Sequence, residues 1–470
     1  MKITLPKNVN YIITRLNEAG FEAYAVGGCV RDSILGREPE DWDITTSAEP
    51  FQVKELFRRC VDTGIEHGTV TVLIKDQSYE VTTFRIDGKY EDGRHPESVE
   101  FTKSLTEDLK RRDFTINAMA YSEKTGLVDL FEGQKDLKDR IIRAVGNPVD
   151  RFNEDALRIM RAVRFAAQLD YEIEEETSAA AKKLAKNLKK ISAERIRDEL
   201  TKLITSYHPQ FLLRAWELGI TAVILPEFDV MMDTPQNNPH HRYNVGEHTI
   251  HAICNIDRDK YDEFDLVVLR YAMLFHDIGK PACKTTDEKG IDHFGGHPQV
   301  SRDIAARIMR RLKFDNKTKN AVLSVVLYHD MRPRLTVPGL RKLINIMGSE
   351  TARVFVDVQT ADIMAQSDYE RDAKLKRLET TVEYYERIME RKDPLFIKDL
   401  DINGQDLMKA GVAEGPLIGD ILKHLLTLVL ERPELNEKGR LLTLAAEYTP
   451  EVALKTDEMS RGNSPSAIVY

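Results

Sequence analysis

A change of sequence pattern along the chain limits its possible folds more than any other feature. Between residues 21 and 101, short runs rich in β-branched residues alternate with turn signals, as in "EAYAVGG", "GTVTVLI" and "SYEVTTFRI". These runs, with a helical pattern in "EPFQVKELFRRC", predict a small α/β sheet domain. From Asn153 onward, long helical periodicities dominate. The pattern predicts an α+β protein, in which a small sheet with helices precedes an all-helical remainder.

The length, hydrophobic content and net charge of the chain exclude several classes of protein. With 470 residues, 42% of them hydrophobic, it can form several domains. No stretch reaches the ~20 uncharged apolar residues of a membrane span, so we expect a cytoplasmic protein that contacts no membrane. The net charge of −9 argues against a protein that coats nucleic acid, so phosphate binding should be local. Four widely spaced cysteines favour reduced thiols over disulfides or a zinc knuckle: Cys29, Cys60, Cys254 and Cys283.

The segment "GGCVRDSILGREPEDWDI", residues 27–44, combines glycines, an arginine and two alternating aspartates. In an extended strand, Asp41 and Asp43 lie on one face, where paired carboxylates suit magnesium. The glycines allow the backbone to approach phosphates, and Arg31 is available to neutralise their charge. The combination predicts phosphoryl chemistry. A turn followed by a solvated strand edge would give the same pattern.

Two further segments carry polar residues at suggestive spacings. "RRDFTINAMAY", residues 111–121, places a basic pair beside Asp113 and Asn117, which suits a triphosphate and ribose hydroxyls; an amphipathic helix with a charged start would look similar. "NEDALRIMRAVRFAAQL", residues 153–169, predicts a helix with Asn153 as its N-cap. Along this helix runs a polar stripe that a surface salt bridge would also explain: Asp155, Arg158, Arg161 and Arg164.

Together these motifs resemble the class II tRNA nucleotidyltransferases, the CCA-adding enzymes and their poly(A) polymerase relatives. The likeness includes "GGCVRD…DWD", "DGRHPESVEF" (residues 92–101), "RRDFTINA", "EDALRIMRAVRF" and the carboxy-terminal "GQDLMKAG…EGPLIGDILKHLL". It implies a polymerase-β-like palm head over residues 1–140, a helical neck over 141–225, and a helical tail over 376–470 that contacts tRNA. It also implies transfer of CMP, CMP and AMP from CTP and ATP to the 3′ end of tRNA without a nucleic-acid template.

The resemblance assigns roles in the head. Asp41 and Asp43 would hold magnesium ions that activate the terminal 3′-hydroxyl and steady the departing pyrophosphate. Glu80 is a candidate third carboxylate, although many strand glutamates face only water. By resemblance, Gly28, Arg31 and Arg112 contact the nucleotide, and Asp113 favours a ribonucleotide through its hydroxyls. Asn117 is a further candidate for nucleotide binding.

Cytosine and adenine can be chosen without a template because both present a ring-nitrogen acceptor beside an exocyclic amino donor. An arginine that donates to the ring nitrogen and an aspartate that accepts from the amino group would admit C and A and refuse U and G. Arg158 and Asp155 are the predicted pair, with Arg161 and Arg164 in support. The lysine-rich run "AKKLAKNLKK" is either a tRNA contact of the neck or a solvated helix face.

A second constellation, over residues 226–375, resembles the HD metal-dependent phosphohydrolase domain. Imidazole and carboxylate ligands suit manganese, iron, nickel or zinc better than magnesium alone. Asp277 would bridge two ions, and a single-ion site is the alternative; structurally satisfied histidines would also fit the pattern. The expected ligands are His248, His276, Asp277, His297, His329 and Asp362. By resemblance, the substrates would be small phosphomonoesters, 2′-nucleotides or 2′,3′-cyclic phosphates.

Three other functions fit parts of the pattern. An A-adding enzyme or a poly(A) polymerase would carry the same head, whereas a CC-only enzyme would lack a working "DGRHPESVEF" segment. An HD phosphohydrolase that uses the head only to bind RNA is the third, but binding alone does not need Asp41 and Asp43. The expected partners are tRNA, ATP and CTP, and no segment indicates an obligate protein partner.

Overall fold

The computed structural model describes residues 2–87 and 99–448. The chain divides into two compact units, Met1–Asp229 with Arg311–Lys313 and Val230–Arg310 with Phe314–Tyr470. None of the helices in the described part is long and apolar enough to cross a membrane. The predicted segment "DGRHPESVEF" lies outside the described residues except for its last three positions.

The first unit contains a seven-stranded sheet with the strand order β3-β4-β5-β2-β1-β8-β9. Only the β2–β5 pair in this sheet is parallel. The strands of the unit are β1 (Ala23–Val26), β2 (Ile44–Thr46), β3 (Cys60–Gly64), β4 (Thr69–Ile74), β5 (Gln77–Thr83), β6 (Arg85–Asp87), β7 (Val99–Phe101), β8 (Met119–Ser122), β9 (Gly126–Asp129), β10 (Ile141–Ile142) and β11 (Glu172–Ile173). Two short pairs, β6–β7 and β10–β11, stand apart from this sheet.

Helices flank the sheet and make up the rest of the first unit. The first helix buries Val9, Ile12, Ile13 and Leu16, which lie on one face at helical spacing. The helices up to residue 232 are α1 (Lys7–Glu18), α2 (Gly28–Ile34), α3 (Pro50–Leu56), α4 (Leu105–Lys110), α5 (Gly133–Asp139), α6 (Pro148–Glu154), α7 (Leu157–Leu169), α8 (Glu175–Leu184), α9 (Ala193–Ile204), α10 (Leu212–Glu217), α11 (Thr221–Ile224) and α12 (Pro226–Met232).

One predicted helix is in fact two. The segment 153–169, expected to form a single helix capped by Asn153, is divided between α6 and α7. Asp155 has extended backbone angles, φ −137° and ψ 104°, and its carboxylate accepts a hydrogen bond from the Leu157 N–H. Asp155 therefore satisfies a donor at the start of α7, while Asn147 caps α6. The prediction of Asn153 as a cap was wrong.

The second unit is helical in its described part apart from a short hairpin of β12 (Thr285–Thr286) and β13 (Asp292–His293). Its helices are α13 (Val245–Cys254), α14 (Glu263–Phe275), α15 (Lys280–Cys283), α16 (His297–Arg311), α17 (Asn316–Tyr328), α18 (Val337–Met347), α19 (Ser349–Ala365), α20 (Arg371–Glu390), α21 (Gly404–Lys409), α22 (Pro416–Glu431) and α23 (Lys438–Ala446). A sheet with helices followed by a helical remainder confirms the predicted α+β class.

One hydrophobic core in the second unit draws side chains from both sides of residue 375. Leu340, Ile344 and Phe355, from α18 and α19, pack in the same cluster as Leu425 and Leu441, from α22 and α23. The residues predicted to form a separate tail therefore share their core with two helices of the preceding segment.

Candidate functional site

The head carboxylates, which we define as Asp41, Asp43 and Glu80, lie together at one end of the sheet. The Val26 N–H donates to the Asp43 carbonyl at 3.0 Å, so Asp43 directly precedes the β1–β2 pairing. Strand β2 itself begins at Ile44, later than the alternation predicted. In the parallel β2–β5 register Ile44 lies opposite Val81, which brings Glu80 beside Asp43.

The electrostatics of Asp43 show how close these groups are. Burial and the neighbouring Asp41 carboxylate raise the pKa of Asp43 to about 6, with Glu80 adding to the effect and Arg112 opposing it. Three carboxylates that repel one another at a surface-accessible point are a suitable environment for a divalent cation, which would offset their charge. The donor set therefore fits magnesium.

A glycine turn packs against Arg112 next to these carboxylates. Gly27 has φ +83°, a conformation that favours glycine, and it precedes the first residue of α2, Gly28. A Cβ on Gly27 would lie 3.0 Å from Arg112 Nη1. The Arg112 guanidinium is thus held against the backbone of the turn, and its buried Nε has no hydrogen-bond partner among the described residues.

A chain of hydrogen bonds connects α2 to α7 through residues predicted to bind nucleotide. Arg31 Nη1 donates to Asn117 Oδ1 at 2.7 Å, and Asn117 Nδ2 donates to Asp113 Oδ1 at 3.2 Å. Arg161 Nε donates to Asp113 Oδ2 at 2.7 Å. Burial favours the neutral acid, but Arg161 outweighs burial and holds the pKa of Asp113 at about 2. Arg31 also forms two hydrogen bonds with Asp32, so its head group is fixed in place.

The predicted base-reading residues Asp155 and Arg158 are near in sequence but have different partners. Arg195, from α9, donates to Asp155 Oδ2 at 2.6 Å and approaches Oδ1 at 3.4 Å. Arg158 Nη1 donates to Glu154 Oε2 at 2.6 Å, and Nη2 donates to the Arg111 carbonyl at 2.9 Å. Each member of the pair is therefore oriented by a charged residue that sequence reasoning missed.

Arg164 lies in a buried network with another missed residue, Glu199. Its Nε lies 2.6 Å from Glu199 Oε2, and Arg161 Nη1 lies 3.8 Å from Glu199 Oε1. Burial lowers the pKa of Arg164 to about 10. The signal for the missed residues was present in "AERIRDEL", where Arg195 and Glu199 stand four positions apart on one face of a helix.

The lysine-rich run has a simple placement. It occupies the end of α8 and a 3-10 helix at Ala185–Lys190. Its lysines are all exposed: Lys182, Lys183, Lys186, Lys189 and Lys190. The run is therefore accessible to a polyanion, and a solvated face has the same appearance.

The HD cluster, which we define as His248, His276, Asp277, His297, His329 and Asp362, comes together in the second unit from five segments of the chain. Two groups of potential ligands converge within 4.8 Å, His248–His276–Asp277 and Asp277–His297–His329. Asp277 belongs to both groups, and its two oxygens face different histidines. Oδ2 lies 3.2 Å from His276 Nε2, and Oδ1 lies 3.3 Å from His297 Nε2.

The imidazole rings present their Nε2 atoms to one another. His248 Nε2 lies 3.3 Å from His276 Nε2, and His297 Nε2 lies 3.2 Å from His329 Nε2. Asp362 Oδ1 lies 2.9 Å from His248 Nε2.

Hydrogen bonds at the Nδ1 atoms explain why the Nε2 atoms of these histidines face one another. The Nδ1 atoms of His276, His297 and His329 lie 2.6, 2.9 and 2.7 Å from backbone carbonyls. In the neutral ring each Nδ1 therefore carries the hydrogen, and Nε2 becomes a lone pair once any proton on it is displaced. Lys280 Nζ lies 2.7 Å from Asp277 Oδ2 and is the cation nearest to these ligands. The remaining convergence of buried imidazole lone pairs and carboxylates fits a metal ion.

Protonation and metal compete at this cluster. Burial disfavours a charged ring, but the Asp277 carboxylate outweighs burial and raises the pKa of His276 to about 10. Burial and the neighbouring His276 and His297 lower the pKa of His329 to about 4. His276 therefore holds the proton that a bound cation would displace.

Three stretches of the chain match family models. Residues 23–143 match the poly A polymerase head domain, and residues 170–232 match the probable RNA and SrmB-binding site of polymerase A. Residues 296–445 match the putative tRNA nucleotidyltransferase domain 2. The matches follow the chain from the sheet to the last described helices.

Individual relatives carry one consistent name. The CCA-adding enzyme of Ligilactobacillus salivarius is 55% identical over 199 residues, 42% of this chain and 49% of that relative, so the chain matches about half the length of such relatives. The CCA-adding enzyme of Leuconostoc mesenteroides is 34% identical over 454 residues, 95% of this chain and 99% of that relative. The Bacillus stearothermophilus CCA-adding enzyme, solved in complex with CTP, is 30% identical with a TM-score of 0.68, covering 96% of this chain and 98% of its own.

The near-complete match to the Leuconostoc enzyme agrees with the carboxylate-bearing sheet and the arginine-lined α7. Family membership implies the use of a divalent metal ion. The chain belongs to the CCA-adding enzymes, a family of tRNA nucleotidyltransferases.

Proposed function

We propose that the protein completes the 3′ end of tRNA by adding CMP, CMP and AMP from CTP and ATP without a nucleic-acid template. The observation that carries the proposal is the convergence of Asp41, Asp43 and Glu80 beside the Gly27 turn and Arg112, in a chain of the CCA-adding family. Neither a solvated strand edge nor an RNA-binding platform needs a carboxylate, Asp43, whose pKa is raised by burial and by two further carboxylates beside it.

The residues of the head have separate roles in metal, triphosphate and ribose binding. Asp41 and Asp43 would hold magnesium, with Glu80 as a third ligand, and bound magnesium would supply Lewis acidity for attack by the tRNA 3′-hydroxyl and departure of pyrophosphate. The glycine turn brings backbone N–H groups close to the triphosphate, and Arg112 neutralises its charge. Asp113 and Asn117 face the ribose.

Arg158 and Asp155 choose the base. Arg158 donates to the ring nitrogen of cytosine or adenine, and Asp155 accepts from the exocyclic amino group. Uracil and guanine would leave both groups unmatched, at a cost of about 1–3 kcal/mol for each buried group. Because Glu154 hydrogen-bonds to Arg158 and Arg195 hydrogen-bonds to Asp155, the pair is oriented before a nucleotide arrives.

The test is direct nucleotide addition. Purified protein is incubated with tRNA ending at the discriminator base, in C, in CC or in CCA, and each nucleotide is supplied separately. Addition of two C residues and then one A supports the proposal. Addition of A alone to a CC end identifies an A-adding enzyme, and a lengthening A tract identifies a poly(A) polymerase; either outcome contradicts CCA addition.

We also propose a second activity, hydrolysis of phosphate esters at the HD cluster. The observation that favours it is the convergence of Nε2 lone pairs on Asp277 and Asp362, which fits manganese, iron, nickel or zinc. Held by these residues, such a metal would supply activation of water for attack on phosphorus at neutral pH. In a 2′,3′-cyclic phosphate, water adds to phosphorus and one ribose C–O–P linkage opens to give a monoester.

The second activity is tested with manganese and with nickel on adenosine 2′,3′-cyclic phosphate. The parent is compared with an H276A/D277A protein, and CMP addition in parallel reports on folding. Hydrolysis by the parent and its loss in the variant support the proposal. A parent that binds no metal and cleaves no ester shows that the cluster is structural. A parent that hydrolyses esters but adds no nucleotide identifies the head as an RNA-binding platform.

A further inference from the structure

A basic face of α20 lies beside the HD cluster. Arg371, Lys374 and Arg377 recur at three-residue intervals in this helix, so they share one face. Arg332, which follows α17, lies close enough to lower the pKa of both Lys374 and Arg377. We call these four residues the α20 basic face. Like charges held this close repel one another, and a bound anion would offset that repulsion.

Two of the four cations have no acidic partner. Arg332 and Arg371 each form an ion pair with a neighbouring aspartate. Among the described residues, no carboxylate lies within ion-pair distance of Lys374 or Arg377. Both side chains are partly buried. Burial is the main cause that lowers the pKa of each, and the Arg332 charge adds to it. Asp362 and Glu370 act on Lys374 from beyond ion-pair distance and favour its charged form, but burial and Arg332 outweigh them and lower its pKa. Partly desolvated cations that form no ion pair are characteristic of an anion-binding surface.

A single side chain separates this face from the predicted metal ligands. Lys374 Nζ donates to Gln366 Oε1 at 2.7 Å, and Gln366 Nε2 donates to Asp362 Oδ2 at 3.0 Å. The other oxygen of Asp362 lies 2.9 Å from His248 Nε2. Lys374 Nζ also lies 3.1 Å from His240 Nδ1, so two contacts fix its position and leave one of its three N–H groups for a ligand.

We propose that the α20 basic face binds the backbone phosphates of an RNA strand whose terminal phosphate lies at the HD cluster. This inference rests on the proposed phosphohydrolase activity and names its substrate class, the end of an oligonucleotide. A mononucleotide offers one phosphate, which the metal cluster takes, and leaves Lys374 and Arg377 without an anion. A strand offers further phosphates for these two cations. An acidic peptide would match the charges but brings no phosphate ester to the cluster.

The first experiment compares two substrates on the full chain. KM is measured with manganese for adenosine 2′,3′-cyclic phosphate and for a tetranucleotide that ends in a 2′,3′-cyclic phosphate. The K374Q/R377Q protein is compared with a K376Q/R387Q control, which removes the same charge from exposed positions of α20.

We expect the K374Q/R377Q protein to raise KM for the tetranucleotide about tenfold more than KM for the mononucleotide, with no such difference in the control. For the tetranucleotide, the slope of log KM against log salt concentration should be smaller by about 1.4 in this variant, because two single-strand phosphate contacts are lost. Equal effects on both substrates overturn the inference.

A second readout does not depend on hydrolysis. The tetranucleotide carries 4-thiouridine next to its terminal nucleotide, and the cross-links formed under long-wavelength light are mapped by mass spectrometry. We expect cross-links within residues 366–377 that the K374Q/R377Q change removes and that an excess of poly-glutamate does not. Cross-links found only elsewhere, or competed equally by poly-glutamate, overturn the inference. If the parent hydrolyses neither substrate, the phosphohydrolase proposal fails and the cross-links alone decide RNA binding.

Discussion

Arg195 holds the Asp155 carboxylate through both of its oxygens, at 2.6 and 3.4 Å, across 40 residues of sequence. The Leu157 N–H donates to the same carboxylate at 3.0 Å. Asp155 is therefore fixed by a helix start on one side and by α9 on the other. A carboxylate fixed in this way has one orientation to offer a base.

Removing Arg195 should weaken base selection. With R195A, the ratio of kcat/KM for CTP to that for UTP should fall about tenfold, because a hydrogen bond between charged groups contributes about 1.5–3 kcal/mol. R195K should recover part of the ratio, since lysine retains the positive charge but cannot donate two parallel hydrogen bonds to the carboxylate as a guanidinium does. K202A, at an exposed position of the same helix, is the control. An unchanged ratio in R195A would limit Arg195 to a structural role.

Changing Glu154 tests the partner of Arg158. E154Q removes the charge that holds the Arg158 guanidinium at 2.6 Å, so the arginine should lose its preferred orientation. We expect misincorporation of U and G to rise, and the free energy of unfolding to fall by about 1–3 kcal/mol because the Arg158 guanidinium is buried. Single-nucleotide addition assays and thermal melts measure both effects. A loss of stability without a change in nucleotide choice would contradict the assignment.

The D43N change should abolish nucleotide addition and slightly stabilise the fold. At neutral pH it removes a like charge from beside Asp41 and Glu80, and solvent screening limits the gain to about 1 kcal/mol. Tight tRNA binding should persist. D76N, in the turn between β4 and β5, is the control. Substantial residual turnover would exclude Asp43 as a metal ligand.

The raised pKa of Asp43 also predicts a pH dependence. Its folded pKa of about 6 exceeds the ordinary 3.8, so the folded state binds the proton more tightly than the unfolded state. The contribution of Asp43 to stability is then present below pH 3.8 and is lost as the pH rises toward 6. Magnesium needs the ionised carboxylate, so the rate of addition should rise through about pH 6 in the parent. A rate that is flat from pH 5 to 7 would argue against this coupling.

Metal binding at the HD cluster should release protons. The pKa of His276 is about 10, so at pH 7.5 its ring carries a proton that manganese must displace. Affinity should therefore increase with pH up to that pKa. Calorimetry in two buffers of different ionisation enthalpy counts the protons released. H276A should bind less metal and release fewer protons, whereas H424N should behave like the parent; equal proton counts in all three proteins would exclude His276.

The exposed lysines of the first unit give a prediction about tRNA. Neutralising Lys182, Lys183, Lys186, Lys189 and Lys190 together should weaken tRNA binding and reduce its salt dependence, because phosphate contacts release counterions. The measurement is the slope of log affinity against log salt. If affinity and slope both stay as in the parent, the run is a solvated face.

How far the sequence predicts this protein depends on the range of the interactions. The sheet, the helical remainder and the carboxylates near β2 follow from local patterns, because alternation and helical spacing are local properties. The break between α6 and α7 at Asp155 was not predicted. An acidic residue is equally typical of the first turn of one helix and of the residue that caps the next helix, so the sequence fits both. Arg195 and Glu199 were missed because their partners lie on another helix.

The HD cluster also depends on contacts between residues that are far apart in sequence. Its ligands stand between His248 and Asp362, and no periodicity brings them together; only a resemblance singled them out. The residues around them, Gln366, Lys374 and His240, belong to no motif and emerged only from their contacts.

The core that unites α18 and α19 with the carboxy-terminal helices has a thermodynamic consequence. Asp362 lies near the end of α19, whose earlier residue Phe355 packs in the cluster that also contains Leu441. A cation that binds only the folded HD cluster adds its binding free energy to every segment that unfolds together with it. Manganese should therefore slow amide hydrogen exchange in α22 and α23 as well as around its own ligands, so that metal availability would set the rigidity of the carboxy-terminal helices.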